Sequence, residues 1–355
     1  MNNKFALLTA MCLAFGLPPA RAAFINGQNY VSLAGWAHAN GLNCSRLKRG
    51  GEIIATNRMT RLVFDVDSRN AEINGTQVAL SFPIANQKGV ALIAQLDLNT
   101  AVGPLLFPSR FVEAKTIKTI CLDPGHGGKD TGNRTFWHSE KTLTLALAFE
   151  LRDQLKKAGF NVILTRTTDK YVELTDRPAL ANKRNADLFV SLHFNAIETG
   201  RNEVSGPETY CITPVGASSS NAQGEGRDYG PTTANRYESK SLLFACQIEK
   251  SLVQNLGVND RGVRRARFAV LRDAAMPAIL IECGYMTHPV EGEKILDAAY
   301  RRQMAQAIVK GILNYQKLTA PPVPPTLPAT NRLAVRIPSS SWTGTNKISP
   351  KSQTR

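Results

Sequence analysis

Acid is what this sequence lacks most. Its 355 residues hold 28 aspartates and glutamates against 43 lysines and arginines, a formal net charge of +15. After Asp297 there is no acidic residue, while Arg332, Arg336, Lys347, Lys351 and Arg355 follow in a solvated charge run. Such a surplus directs attention to anionic partners: nucleic acid for a cytosolic chain, wall polymers or lipid headgroups for an exported one.

Long apolar runs are equally scarce. The one at Phe5–Leu17 is too short for a bilayer, which needs about 20 residues. Lys4 precedes it and Ala20-Arg21-Ala22 follows, which reads as an export signal over residues 1–22, cleaved near Ala22 or Ala23. Met11 before Cys12 is wrong for a lipoprotein signal. The expected location is the periplasm or the cell wall and exterior, with no nucleic acid and no stable membrane insertion. Cysteine is sparse as well. Cys44, Cys121, Cys211, Cys246 and Cys283 remain after the signal, an odd and widely spaced set that excludes a complete disulfide framework. Small core residues are the simpler reading, with one bridge left open.

What is present falls into three parts. Residues 24–108 are β-rich: "RLVFDV" alternates like a strand, "AEINGTQVALS" sets Asn74-Gly75 between two strand-like runs, and "YVSLAGWAHANGL" reads as one helix over Tyr30–Leu42. Residues 115–318 alternate strand with helix. "TICLD", "NVILTR", "DLFVSLHFN", "FAVLR" and "AILIECGY" read as strands. "SEKTLTLALAFELRDQLKKAGF" reads as a helix with Leu143, Leu147, Leu151 and Leu155 on one stripe and Gly159 at its end. "LTDRPALANKRNA", "SLLFACQIEKSLVQNLG" and a last run from Glu291 to Gln316 are further helices. This alternation implies an α/β sheet with right-handed crossovers, behind a small β-rich domain. Residues 319–355 are Pro-rich, then Ser-rich and basic, and read as a disordered or extended tail.

With only five histidines, each one stands out. His126 follows the strand "TICLD" inside a glycine-walled loop, His193 closes "LFVSLH", Glu282 lies near the end of "AILIE", and Glu140 opens the helix after the loop. Open α/β sheets bind ligands at such strand ends. Singly, each residue has an ordinary explanation: a hydrogen-bonded histidine, a helix-capping acid after Ser139, an ion pair. Together, two histidines and a carboxylate make a catalytic zinc set with a position left for water, and another carboxylate can serve as base. Glu282 in an apolar strand is costly unless it has a partner or a purpose. His38, His138 and His288 read as structural or surface residues. "GHGGKD" fails as a phosphate loop, because Asp123 and Asp130 stand where glycine and Ser/Thr are needed. A Cys283 thiol nucleophile with His193 as base lacks any signature.

"LDPGHGGKDTG", "SEKTLTLALAFELRDQL", "GFNVILTRTTDKYVELTDRPALAN", "ADLFVSLHFNA" and "PAILIECGYMTHPVE" occur in one order over residues 115–318. This collinear set resembles the zinc-dependent N-acetylmuramoyl-L-alanine amidases. The resemblance implies a single mixed sheet flanked by helices, with zinc held by His126, Glu140 and His193, Glu282 as the catalytic residue and Asn195 as a substrate contact. It implies hydrolysis of the amide between N-acetylmuramic acid and L-alanine in peptidoglycan, for wall remodelling or cell separation. A zinc peptidase acting on stem peptides and a non-catalytic wall-binding protein are the rival readings. The front part is weakly similar to the small domain ahead of copper amine oxidases, and no functional residue follows from that. Two features depart from the family pattern: "GNRTFWHSEK" before Glu140, and a polar insertion over residues 215–240. In some relatives an insertion here plugs the zinc site until an activator of the division machinery removes it. This one, rich in Gly, Ser and Asn, reads instead as a flexible rim loop; autoinhibition and an activator partner stay open.

Overall fold

A computed structural model describes residues 23–47, 51–135, 137–221 and 230–321. The expected signal, residues 1–22, and the tail beyond residue 321 lie outside the described residues. The strands are β1 (Ala23–Ile25), β2 (Gln28–Ser32), β3 (Asn43–Cys44), β4 (Glu52–Thr56), β5 (Arg61–Asp65), β6 (Asn70–Ile73), β7 (Thr76–Ala79), β8 (Ala85–Gln87), β9 (Val90–Ala94), β10 (Thr119–Pro124), β11 (Asn161–Leu164), β12 (Leu188–Asn195), β13 (Glu208–Ile212), β14 (Val263–Ala266) and β15 (Ala278–Tyr285). The principal helices are α1 (Leu33–Ala39), α2 (Glu140–Lys157), α3 (Asp176–Lys183), α4 (Glu238–Leu256), α5 (Pro289–Leu296) and α6 (Ala298–Thr319).

Strands β10, β12 and β15 are near-continuous apolar runs, as strands covered on both faces must be. They pair in parallel, which puts Asp123 beside Ser191 and His193 beside Glu282. Strand β13 then runs antiparallel to β15 and sets Glu208 beside Glu282. Helix α2 covers one face of this sheet with the leucine stripe read from the sequence; Leu143, Leu147, Leu151 and Leu155 are all buried. Helices α4 and α6 share that face. On the other face α3 and a short helix, Ala269–Arg272, close a smaller core with Cys121, Phe189 and Tyr210.

That short helix occupies part of "FAVLR", expected as a strand. An apolar run of this length does not distinguish strand from helix by period, and Val270 and Leu271 reach the core from a helical turn. The last expected helix is broken in two at Asp297, whose carboxylate accepts from Ala299 N at 3.1 Å and Tyr300 N at 3.3 Å and so starts α6 afresh. The front helix is shorter than its expected Tyr30–Leu42, since Tyr30–Ser32 belongs to β2 and Ser32 caps Gly35 N. The five cysteines among the described residues are all free thiols.

The β-rich front part does not stand apart from this sheet. Strands β3 to β7 form an antiparallel meander, with Asn74 and Gly75 both at positive φ in the β6–β7 turn. Strand β7 meets β14 at Val78 and Val263, extending one sheet to eleven strands in the order β11-β10-β12-β15-β13-β14-β7-β6-β5-β4-β3. Strands β1, β2, β9 and β8 make a second, four-stranded sheet. Buried Arg265 on β14 donates to Thr100 O at 2.6 Å, and Gln77 N donates to Asp260 Oδ2 at 3.0 Å. The insertion, expected as a free rim loop, is tied down along its described flanks. Arg69 donates to Ser218 O at 3.1 Å, and Ala217 is buried against Tyr30, Phe82 and Leu92. Residues 222–229 lie outside the described residues.

Asp97 anchors the front part from inside. Its fully buried carboxylate accepts from Ser81 N at 2.6 Å and Phe82 N at 3.0 Å, and burial pushes its pKa up to about 6. The folded value exceeds the unfolded one, so its contribution to stability is complete below about pH 4 and is lost as pH rises through about 6. Measured against Asp97→Asn by denaturant titration, the wild type should lose about 3 kcal/mol of relative stability across that window, at about 1.4 kcal/mol per tenfold change in proton affinity. A flat difference between pH 4 and 7 would remove Asp97 as a strained buried acid.

Candidate metal centre

The loop after β10 is shaped by close approach. Asp123, Arg166 and Arg177 are almost wholly buried beneath it. Arg177 Nη1 contacts Asp123 Oδ1 at 2.8 Å, and Thr165 and Ser191 donate hydroxyls to the same carboxylate at 2.6 and 2.7 Å. The two guanidiniums also donate to the loop carbonyls: Arg166 to Pro124 and Gly125, Arg177 to Pro124 and His126. Held this way, His126 takes a φ of +61°, unusual for a residue with a side chain. The glycines around it make room. A Cβ on Gly125 would strike the His193 ring, and one on Gly132 would lie 2.5 Å from His126 Cδ2 and 2.6 Å from a Glu140 carboxylate oxygen.

His126, Glu140 and His193 thus converge, with their ligand-type atoms all within 4.8 Å of one another. Glu140 is almost fully buried at the start of α2. Its Oε2 lies 3.1 Å from His126 Nε2 and accepts from Asn133 N at 2.8 Å. Its Oε1 lies 2.9 Å from His193 Nδ1 and accepts from Phe194 N at 3.0 Å. The other face of His126 is fixed by Asp130, whose Oδ2 lies 2.8 Å from Nδ1. An outer carboxylate that sets a ligand's tautomer and orientation is a common feature of metal sites. Burial alone would raise the Glu140 pKa, but the two imidazoles hold it well below the usual carboxylate range. Burial would lower both histidines, and Glu140 outweighs it and raises them. Two imidazoles crowding one buried carboxylate form a donor set suited to a divalent cation, whose charge replaces the shared protons.

Glu282 stands beside this cluster, across the strand pair from His193. Its buried Oε2 has no hydrogen-bond partner among the described residues. Burial, helped by the charges of Glu140 and Glu208, pushes its pKa up to about 7. Glu208 stays ionised: burial opposes this, but Arg264 and Arg261 hold it low, with Arg261 Nε 2.6 Å away. Glu282, His126, Glu140 and His193 border a cleft of about 550 Å³ that is also lined by apolar Leu174, Phe268, Val270 and Leu280.

The four sequence candidates His126, Glu140, His193 and Glu282 therefore share one cleft. Asn195 does not line this cleft; its Oδ1 accepts from Ala196 N at 2.8 Å, and its carbonyl accepts from Met286 N. His288 caps α5 through Nδ1, while His38 and His138 are exposed. Cys283 is buried, which pushes its thiol well above the ordinary value and leaves it protonated. Sequence reasoning passed over Asp123, Asp130, Asn133, Arg166 and Arg177. Asp123 and Asp130 drew notice only as misfits to a phosphate loop. The i, i+4 spacing of His126 and Asp130 was the available signal.

Residues 120–314 match the protein-family model described as N-acetylmuramoyl-L-alanine amidase. The chain belongs to the N-acetylmuramoyl-L-alanine amidase family. It is 34% identical over 198 residues to the uncharacterized protein YqiI of Bacillus subtilis, covering 56% of this chain and 84% of that one. It is 28% identical over 317 residues to the N-acetylmuramoyl-L-alanine amidase LytC of the same organism, covering 89% of this chain but 54% of LytC. The chain thus spans about half the length of that relative. Among solved structures, an N-acetylmuramoyl-L-alanine amidase from Clostridium difficile 630 is 36% identical, with a TM-score of 0.47 over 57% of this chain and 98% of that one.

Gly132→Ala tests the packing argument. A side chain there, at φ +62°, should displace His126 and Glu140 and weaken metal binding by roughly 10- to 100-fold, the range seen when ligand support is lost. Gly159→Ala, at φ +93° with nothing within 4 Å, should leave metal affinity unchanged. Competition titration with a chromogenic chelator measures both. Equal affinities in the two variants would refute the crowding argument.

Proposed function

We propose that the protein is a zinc-dependent N-acetylmuramoyl-L-alanine amidase that hydrolyses the amide between the muramic lactyl group and L-alanine in peptidoglycan. The observation that carries this reading is the convergence of His126, Glu140 and His193 within 4.8 Å, beside Glu282, whose Oε2 has no partner among the described residues, inside the segment that matches the amidase family. His126, Glu140 and His193 would hold the ion. When bound, zinc supplies a Lewis acid that polarises the carbonyl and makes water more acidic. Asp130 keeps the Nδ1 proton of His126 engaged and leaves Nε2 for the ion. Asn133 N and Phe194 N fix the Glu140 carboxylate so that it does not rotate away. Glu282 takes a proton from the attacking water on its carboxylate and returns it to the L-alanine nitrogen as the amide breaks. A carboxyl whose pKa is raised toward neutrality suits both transfers.

The same reading takes residues 1–22 as an export signal and the wall as the place of action. No helix among the described residues is long and apolar enough to cross a membrane. The basic tail then faces anionic wall polymer, an attraction screened over about 8 Å at physiological salt.

Mass spectrometry of purified sacculi digested by the zinc-loaded protein tests the reaction. The expected products are glycan freed of peptide and peptides beginning with L-alanine; cleavage inside the stem peptide would overturn the assignment. Glu282→Gln should keep its zinc and fold while losing roughly 100-fold or more in rate. Near-normal turnover by that variant would remove Glu282 from the mechanism.

A further inference from the structure

A second cleft, of about 860 Å³, adjoins the metal centre and takes no part in the chemistry above. The two are neighbours through the chain. Gly132 and Asn133 line the first, and Arg134 and Thr135 line the second. On α2, Glu140 borders the first and Leu143 the second, and i, i+3 positions on a helix are about 5–6 Å apart at Cβ. The floor is apolar, with Leu143, Met286 and Ile295 buried. The rim is not. Trp137 is 89% exposed, and neither Arg134 nor Arg201, both exposed, has a side-chain partner among the described residues. His288 spends Nδ1 as an acceptor for Val290 N and Glu291 N, which leaves its proton on Nε2 as a further donor. Glu293 is the one acidic residue of the lining.

We propose that this cleft seats the acidic peptide arm of the substrate, with Arg134 and Arg201 receiving its carboxylates and Trp137 as its wall; the inference rests on the amidase reading and extends it. A substrate cut at the metal centre has two arms. The glycan arm offers mainly neutral hydroxyl and acetamido groups. The peptide arm offers carboxylates, and a free amine on a dibasic third residue. Two unpaired guanidiniums with a hydrogen-bond donor beside them match carboxylates, for which the planar fork of arginine is suited. Glu293 matches the amine. The apolar floor accepts the aliphatic stems between these charges.

The test is calorimetric titration of the mature, zinc-loaded chain with three probes. These are L-alanyl-γ-D-glutamyl-L-lysine, the same peptide with the D-glutamate α-carboxylate amidated, and the neutral N-acetylglucosamine disaccharide. The wild type should bind the free acid most tightly. The double variant R134Q/R201Q should lose about tenfold for the free acid, as two exposed charge-assisted contacts imply, and little for the amide. R201E should reverse the preference between the two peptides. Zinc content and far-UV circular dichroism should match the wild type in both variants. Equal losses for acid and amide, no loss at all, or a loss confined to the disaccharide would each overturn the assignment. Sacculus digestion separates this from the amidase reading. Arginine-dependent peptide binding without muramoyl–alanine cleavage would sink the reaction and leave the cleft. Cleavage with arginine-indifferent binding would sink the cleft alone.

Discussion

The site depends on one buried ion pair. Asp123 at the end of β10 and Arg177 on α3 meet at 2.8 Å with almost no exposure to water. Removing one partner of such a pair typically costs about 3–5 kcal/mol, because the other charge is left buried alone. Here the pair also has a geometric role. Together with Arg166 it satisfies the carbonyls of Pro124, Gly125 and His126, which a sharply turned loop cannot pair within itself. With those carbonyls fixed, His126 holds its left-handed backbone and faces Glu140. Without them, three glycines in a row of four would leave the histidine with no defined direction.

The ligand set and its support come from different layers of the fold. His193 and Glu282 are placed by strand register, His126 by the clamped loop, and Glu140 by the first turn of α2. Asp130 and Asn133 then orient ligands that other elements brought in. A cluster assembled from four elements is rigid only if those elements are packed on one another. The leucine stripe of α2 against β10 and β12 supplies that packing. The front part belongs to the same framework. Its meander continues the sheet through Val78 and Val263, and buried Arg265 ties it in by donating to the Thr100 carbonyl. The insertion near the site rests partly on that front part, through Arg69 and Ala217.

Much of this was legible in the sequence where local pattern and burial agree. The strands of β10, β12 and β15, the α2 stripe and the Asn74-Gly75 turn all follow from apolar period and turn chemistry. Legibility failed where one residue overrode a pattern. Asp297 restarts a helix that apolar period alone would continue, and "FAVLR" is too short for its period to decide. It failed again for the insertion, whose Gly, Ser and Asn composition suggests freedom. Ala217 and Ser218 are held by residues more than a hundred positions away.

The sequence alone determined the chemistry available: two histidines and two carboxylates at strand ends and a helix start, a glycine-walled loop, and an α/β alternation able to bring strand ends to one edge. Those are properties of residue type and local order. Tertiary structure decided which groups meet and in what state. It joined His126 to Asp130, gave Glu140 two imidazoles and two backbone donors, and left Glu282 Oε2 without a partner among the described residues. It also buried Asp123 with Arg177 and, among the described residues, left Arg134 and Arg201 without side-chain partners beside a cleft. The reason is physical. Hydrogen-bond partnership and desolvation depend on distance in space, and strand register and helix packing set those distances between residues that the chain keeps far apart.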